Sequence, residues 1–201
     1  MTTTFRRSGY CHVFGDDIPL DDGLIPFDMA IRRVDDPAVL RPALLRMVDP
    51  DFPDRVRPGD IIVAGARFGC GKPHFQGFVA MASLGLSILC VSMPYKALRG
   101  AISKGVPVLT GLPAIGEAFR TGDRIEVDFV QGTIANLDNA RRFEVPPLSP
   151  LLADMVRRGG TRGMLATWLE AHPEMRQPID VPESQTARPQ ATPEAQAHWK
   201  L

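Results

Sequence analysis

Between positions 65 and 74 the chain sets three glycines, two cations, a cysteine and a histidine in the order Gly65-Ala-Arg-Phe-Gly-Cys-Gly-Lys-Pro-His74. Gly65, Gly69 and Gly71 let the backbone adopt φ > 0 and approach a ligand closely. A helix expected to begin at Pro73, where the missing N–H costs nothing, would add unpaired N–H groups and the positive end of its dipole. A turn of that kind suits a small anion, either a carboxylate or a phosphate. Lys72 and Arg67 are the charges beside it. Arg67 is open between a ligand contact and a surface salt bridge.

Other chemistries fit this stretch poorly. A nucleotide P-loop needs a glycine five positions before Gly71 and a Ser or Thr after the lysine, and the chain has Ala66 and Pro73 there. The dinucleotide fingerprint would require glycine where His74 stands. Cys70 and His74 are four apart and would share a helical face, but two ligands do not make a metal site, and Cys11 and His12 could join them only through long-range folding. No metal site is expected on this chain.

The elements that must hold the turn read as short strands alternating with helices, an α/β pattern with a largely buried sheet. Ile61–Ala64 is a buried strand running into the turn. Phe75, Phe78, Val79 and Ala82 fall at i, i+3, i+4 and i+7, predicting a helix that Gly85 ends. Leu86–Val91 reads as a strand, 96–103 as a short helix, Val106–Leu109 as a strand, and 125–134 as a hairpin around Gly132. A helix over Leu151–Arg158 is closed by Gly159-Gly160, and Thr161 would cap another running through Glu170. Beyond His172 the chain is rich in proline, glutamine and alanine and reads as disordered on its own. Trp199 there is either a docking residue or an incidental terminal aromatic. The expected organisation is one α/β domain over 1–165, followed by a short helix and a proline-rich tail over 166–201.

Of 201 residues, 44% are hydrophobic, enough for one sizeable core. Lys plus Arg and Asp plus Glu each number 23, so no basic field exists of the sort a phosphate backbone selects, and nucleic acid is not an expected partner. Three scattered cysteines give no disulfide framework, and the two arginines near the N-terminus have no apolar run behind them. Both fit a reducing cytoplasm. The uncharged stretch Gly77–Tyr95 holds Gly85, three serines and Pro94, and splits better into a buried helix and a buried strand than into a membrane span.

The turn, with Gly15-Asp-Asp-Ile-Pro-Leu-Asp-Asp-Gly-Leu-Ile-Pro26, Gly105-Val-Pro-Val-Leu109, Gly122-Asp-Arg-Ile-Glu-Val-Asp128 and Gly132-Thr-Ile134, resembles the small "swivel" subunit of 3-isopropylmalate dehydratase, in the aconitase superfamily. The resemblance covers roughly residues 9 to 160. It implies an aconitase-like swivel fold, a mixed or mostly parallel β-sheet flanked by helices, and a place in leucine biosynthesis. The implied activity is a hydro-lyase that reversibly dehydrates a 2-hydroxy di- or tricarboxylic acid, active only with a large subunit that carries the four-iron four-sulfur cluster. On that likeness this chain holds no cluster ligand. Gly69, Cys70 and Gly71 would bind substrate through their N–H groups, with Arg67, Lys72 and Asp21, which falls on a family aspartate.

One departure bears on mechanism. Where the family carries Ser-Ser-Arg-Glu, including its catalytic base and an arginine that grips a carboxylate, this chain has Lys72, Pro73, His74 and Phe75. Lys72 stands at the base position, either as a base, if burial beside Arg67 and a helix N-terminus lowers its proton affinity, or as a permanently charged clamp. His74 would give one hydrogen bond or a proton in place of a bidentate grip, or else face solvent in the first helical turn. The acidic turn of Asp16, Asp17, Asp21 and Asp22 could pair with Lys72 or Arg67, or remain solvated; Leu20 replaces the family threonine beside Asp21. Two readings follow: a hydro-lyase small subunit with catalytic Lys72 and His74, or a non-catalytic swivel homologue that binds a carboxylate metabolite or a partner protein.

Overall fold

Strand β1 (Arg6–Phe14) is the axis of the sheet, because its two halves pair in opposite senses. Cys11–Phe14 run parallel to Ile61–Ala64, and Arg6–Tyr10 run antiparallel to Arg124–Asp128. The structure is a computed structural model describing residues 4–113 and 115–176. Along it lie α1 (Phe27–Ile31), α2 (Pro37–Leu40), α3 (Phe52–Arg55), β2 (Ile61–Ala64), α4 (Gln76–Ser83), β3 (Ser87–Cys90), α5 (Tyr95–Ser103) and β4 (Val108–Thr110). They are followed by β5 (Arg124–Asp128), β6 (Thr133–Asn136), β7 (Arg142–Glu144), α6 (Pro150–Arg157) and α7 (Gly160–Ala171).

The sheet order is β4-β3-β2-β1-β5-β6-β7, parallel on the β4 side of β1 and antiparallel on the other. β2 and β3 are buried at every residue, which is why their sequences, Ile-Ile-Val-Ala and Ser-Ile-Leu-Cys, are unbroken runs without polar alternation. β5 instead alternates at its start, with Arg124 and Glu126 exposed and Ile125 and Val127 buried. The core holds Phe52, Phe68, Phe78, Phe119 and Phe129, all fully buried. Each such ring removes enough apolar surface from water to contribute about 2–3 kcal/mol.

Helix ends follow local rules. Gly85 at φ 65° closes α4, with Leu86 N–H donating to Met81 O, and Gly105 at φ 84° closes α5 in the same way through Val106 and Ala101. Ser149 caps α6 by accepting from Leu152 N–H, with Pro150 in the first turn. Thr161 is no cap: α7 already begins at Gly160. The uncharged stretch 77–95 divides into α4 and β3, and no helix among the described residues is long and apolar enough to cross a membrane.

One compact unit ends at Thr167 and a second begins at Trp168. In the described part of the second, the Trp168 ring stacks on His172 with centroids 4.3 Å apart, and a 3-10 turn spans Pro173–Arg176. The proline-rich tail and Trp199 lie outside the described residues.

A polar pair sits inside the first unit. His12 Nε2 lies 2.8 Å from Asp60 Oδ2, both residues are buried, and the same oxygen accepts the Arg57 N–H at 2.8 Å. The Phe52 ring meets the imidazole edge-on at 5.0 Å.

Candidate functional site

The carboxyl ends of parallel strands are where an α/β sheet leaves its loops free to bind. Here the loops leaving β1, β2 and β3 are joined there. Gly65 N–H donates to Gly15 O at 3.1 Å, Asp17 N–H to Ala66 O at 2.8 Å, Gly69 N–H to Ile18 O at 2.7 Å and Leu20 N–H to Cys70 O at 2.9 Å. From the loop after β3, Ser92 receives the N–H of Arg67 on its hydroxyl, at 2.9 Å, and that of Phe68 on its carbonyl, at 3.1 Å. Phe68 is fully buried and pins the turn to the core.

That lacing corrects the open anion hollow expected from the glycines. Gly69 N–H is taken by Ile18, and Cys70 N–H donates back to Arg67 O at 3.1 Å, so neither is left for a ligand. Among the described residues only the N–H groups of Gly71 and Lys72 have no partner in this turn. The glycines also divide their work differently. Gly69 and Gly71 have φ of 79° and 93°, but the third left-handed residue is Arg67, at φ 56°. Gly65 serves close approach instead: a Cβ there would lie 1.9 Å from Asp16 Oδ1.

The helix starts later than Pro73. α4 begins at Gln76 with Phe75 before it and no side-chain cap. His74 N–H bonds to Lys72 O at 2.9 Å, a tight turn over Pro73, and the Phe75 ring lies against α5 where a Cβ on Gly100 would come within 2.4 Å of it. Both contacts hold the chain in a non-helical path for three residues. Cys70 therefore lies well before the helix, and the shared helical face expected of Cys70 and His74 does not form.

Lys72 is exposed, and its side chain makes no hydrogen bond or ion pair among the described residues. The burial that a lysine base would need is absent, and the helix N-terminus is four residues away. Arg67 is paired with Asp17 through two hydrogen bonds from its guanidinium, both side chains being more than half exposed. That pair raises the Arg67 pKa, the Asp17 hydrogen bond first and its charge second. Asp16 accepts from Ala66 N–H at 2.7 Å and Asp22 from Phe27 N–H at 2.9 Å, so two of the four acids are turn-builders.

Asp21 and His74 come together. Nδ1 of His74 lies 2.8 and 2.9 Å from the two Asp21 oxygens, with side-chain exposures of 31% and 17%. The Phe27 ring flanks the imidazole at 5.9 Å. Beside His74 opens a surface cavity of about 610 Å³, lined also by Arg33, Asp35, Gln76 and Lys104. The side chains of Arg33 and Lys104 have no hydrogen bond or ion pair among the described residues, and the buried Oε1 of Gln76 has no partner there. These four were not singled out from sequence, since they lie on three separate segments with no spacing to connect them. Arg99 is exposed, its guanidinium 5.5 Å from the centre of the Tyr95 ring.

No three His, Cys, Asp or Glu side chains among the described residues gather as metal ligands. Cys11 is buried, its Sγ–H donating to Arg120 O at 3.0 Å, and His12 is held by Asp60.

No protein-family model matches the chain. Among curated proteins, it is 35% identical over 153 residues to "3-isopropylmalate dehydratase small subunit 1" of Methanopyrus kandleri, covering 76% of this chain and 88% of that one. The small subunit of 3-isopropylmalate dehydratase from Pyrobaculum neutrophilum is 34% identical over 160 residues, covering 79% and 96%. Among solved structures, 3-isopropylmalate dehydratase from Methanocaldococcus jannaschii superposes with a TM-score of 0.74 at 26% identity, covering 85% of this chain and 99% of that one.

Proposed function

The chain belongs to the family of 3-isopropylmalate dehydratase small subunits, and from that premise we propose that it is the small subunit of an aconitase-type hydro-lyase. Its reaction is the reversible loss of water from a 2-hydroxy di- or tricarboxylic acid, carried out with a large subunit that holds a four-iron four-sulfur cluster. The observation that carries this reading is the extent of the match: 35% identity over 153 residues, which make up 76% of this chain and 88% of the relative.

The cluster supplies Lewis-acid chemistry from the partner. What this chain brings is cations and hydrogen-bonding groups. Lys72, exposed and without an acidic partner among the described residues, acts as a carboxylate clamp, together with the unpaired N–H groups of Gly71 and Lys72. Arg67 joins them by exchanging Asp17 for a substrate carboxylate, which an exposed pair permits cheaply. Cys70 and Gly69 shape this wall rather than donate their N–H groups. Asp21 and His74 lie on the other side of the turn over Pro73.

Co-expression with the natural large chain tests the assignment. A stable complex that dehydrates 3-isopropylmalate is expected, and Lys72→Ala should lower kcat/KM by roughly 10- to 100-fold, the worth of one charge-assisted contact. A complex that forms but dehydrates neither this acid nor malate would instead support the carboxylate-binding homologue, a reading favoured by the replaced tetrapeptide Lys72–Phe75.

A further inference from the structure

We infer that Asp21 and His74 form an acid–base dyad in which Nε2 of His74 removes and returns the carbon-bound proton of the hydroxy acid, with Asp21 as a positioning residue. The inference rests on the hydro-lyase reading and adds to it the identity of the base.

A carboxylate can only accept, so with both Asp21 oxygens within 2.9 Å of Nδ1 it is Nδ1 that carries the hydrogen. In the neutral ring this leaves the lone pair on Nε2, which has no hydrogen bond among the described residues. The same contact steadies the imidazolium that forms when Nε2 takes a proton, the role an orienting carboxylate plays behind any histidine base. Asp21 is itself held: its segment is tied to the turn by Leu20 N–H to Cys70 O and closed by Asp22 N–H to Ile25 O at 2.8 Å. The alternative base is disfavoured by placement, since Lys72 is exposed and is not among the residues that line the cavity beside His74. His74 also borders the cavity of about 610 Å³, so its ring edges on space for a small acid. Asp21 from the acidic turn is hydrogen-bonded to His74, and the other charged groups that line the cavity are Arg33 and Asp35 from the segment after α1 and Lys104 from the end of α5.

The step balances without an added reagent. The C–H bonding pair beside the carboxylate becomes the second bond of the alkene, and its proton goes to Nε2. The C–O bond on the neighbouring carbon breaks with its electron pair on oxygen, leaving as hydroxide. Hydroxide takes a proton from solvent and the imidazolium returns one, so the sum is alkene plus water.

The experiment uses the full chain, alone and co-expressed with its large chain, with 3-isopropylmalate as probe. In the complex, His74→Ala should lower kcat by about 10²- to 10⁴-fold, with added imidazole restoring at least about tenfold of the loss. Asp21→Asn should lower kcat and move the acid limb of the pH profile. For the chain alone, ¹⁵N spectra should show the Nδ1–H tautomer of His74, exchanged toward Nε2–H by Asp21→Asn; this measurement does not depend on assembly. A wild-type complex that dehydrates the acid while His74→Ala keeps kcat within about threefold and the same pH profile would overturn the dyad and leave the hydro-lyase reading standing. An Nε2–H tautomer in the wild type would overturn it equally. A wild-type complex unable to dehydrate either 3-isopropylmalate or malate, or to exchange the carbon-bound proton of either with D₂O, would end the hydro-lyase reading and the dyad with it.

Discussion

The Asp16 carboxylate occupies the space in which a side chain on Gly65 would begin: a Cβ there would lie 1.9 Å from Oδ1, because that oxygen has moved in to accept the Ala66 N–H at 2.7 Å. The two loops that carry the site are thus joined by an absence of side chain as much as by hydrogen bonds. Gly65→Ala should push Asp16 out, break that bond and loosen the Gly15 and Ala66 contacts beside it. A loss of roughly 1–3 kcal/mol is expected from the crowding and the orphaned donor, measured by chemical denaturation. A variant as stable as the wild type would show that the loops are not laced at this point.

Asp60 is buried against His12, so removing it strands an imidazole in the core. Asp60→Ala is expected to cost roughly 2–4 kcal/mol, since one oxygen serves both His12 and the Arg57 N–H. His12→Phe should cost less than Asp60→Ala, because it leaves Asp60 its Arg57 N–H. Thermal melts of the two variants decide the order.

Asp128 sets an acid dependence. Its burial works to raise the pKa, but the Arg6 hydrogen bond and the N–H groups of Gln131 and Val130 outweigh that and hold it below the ordinary carboxylate value. A carboxylate with a depressed folded pKa contributes its stability above the unfolded value and loses it as pH falls through the folded one. The stability gap between wild type and Asp128→Asn should therefore be widest near neutrality and close as the pH falls through the lowered folded-state pKa. A gap that widens on acidification would reverse the assignment.

The three thiols should react in a set order. Burial pushes Cys11 up to about 11, aided by the Asp123 charge, and Cys90 up to about 12, so both remain protonated as well as enclosed near neutral pH. Cys70 is half-exposed. Iodoacetamide at about pH 8 should label Cys70 first and the others only on unfolding, read by peptide mass. Early labelling of Cys90 would mean that β3 opens readily.

Legibility in the sequence tracked how local the cause was. β2, β3, α4 and α5 could be read because a parallel strand buried on both faces is an unbroken apolar run and a helix stops at a glycine. β1, the axis of the sheet, could not: Arg-Arg-Ser-Gly-Tyr-Cys-His-Val-Phe is mostly solvated in its first half, and its Gly9 is required because Gly59 O would sit 2.5 Å from a Cβ. The delayed start of α4 was equally hidden, since its cause is the packing of Phe75 against Gly100 and the pairing of His74 with Asp21.

By itself the chain of residue types determined the family and the α/β class and pointed to the glycine turn as the candidate site, because motifs such as Gly65–Gly71 and Gly15–Pro26 depend on backbone freedom and order along the chain. Only the tertiary structure decided which of the turn's groups are already paired and which are left free. Backbone amides that look available in a glycine turn are claimed by the loop after β1, some fifty residues earlier, and the histidine gains a carboxylate from that same loop. Hydrogen-bonding capacity belongs to residues, but whether it is already used is settled by what folding brings alongside them.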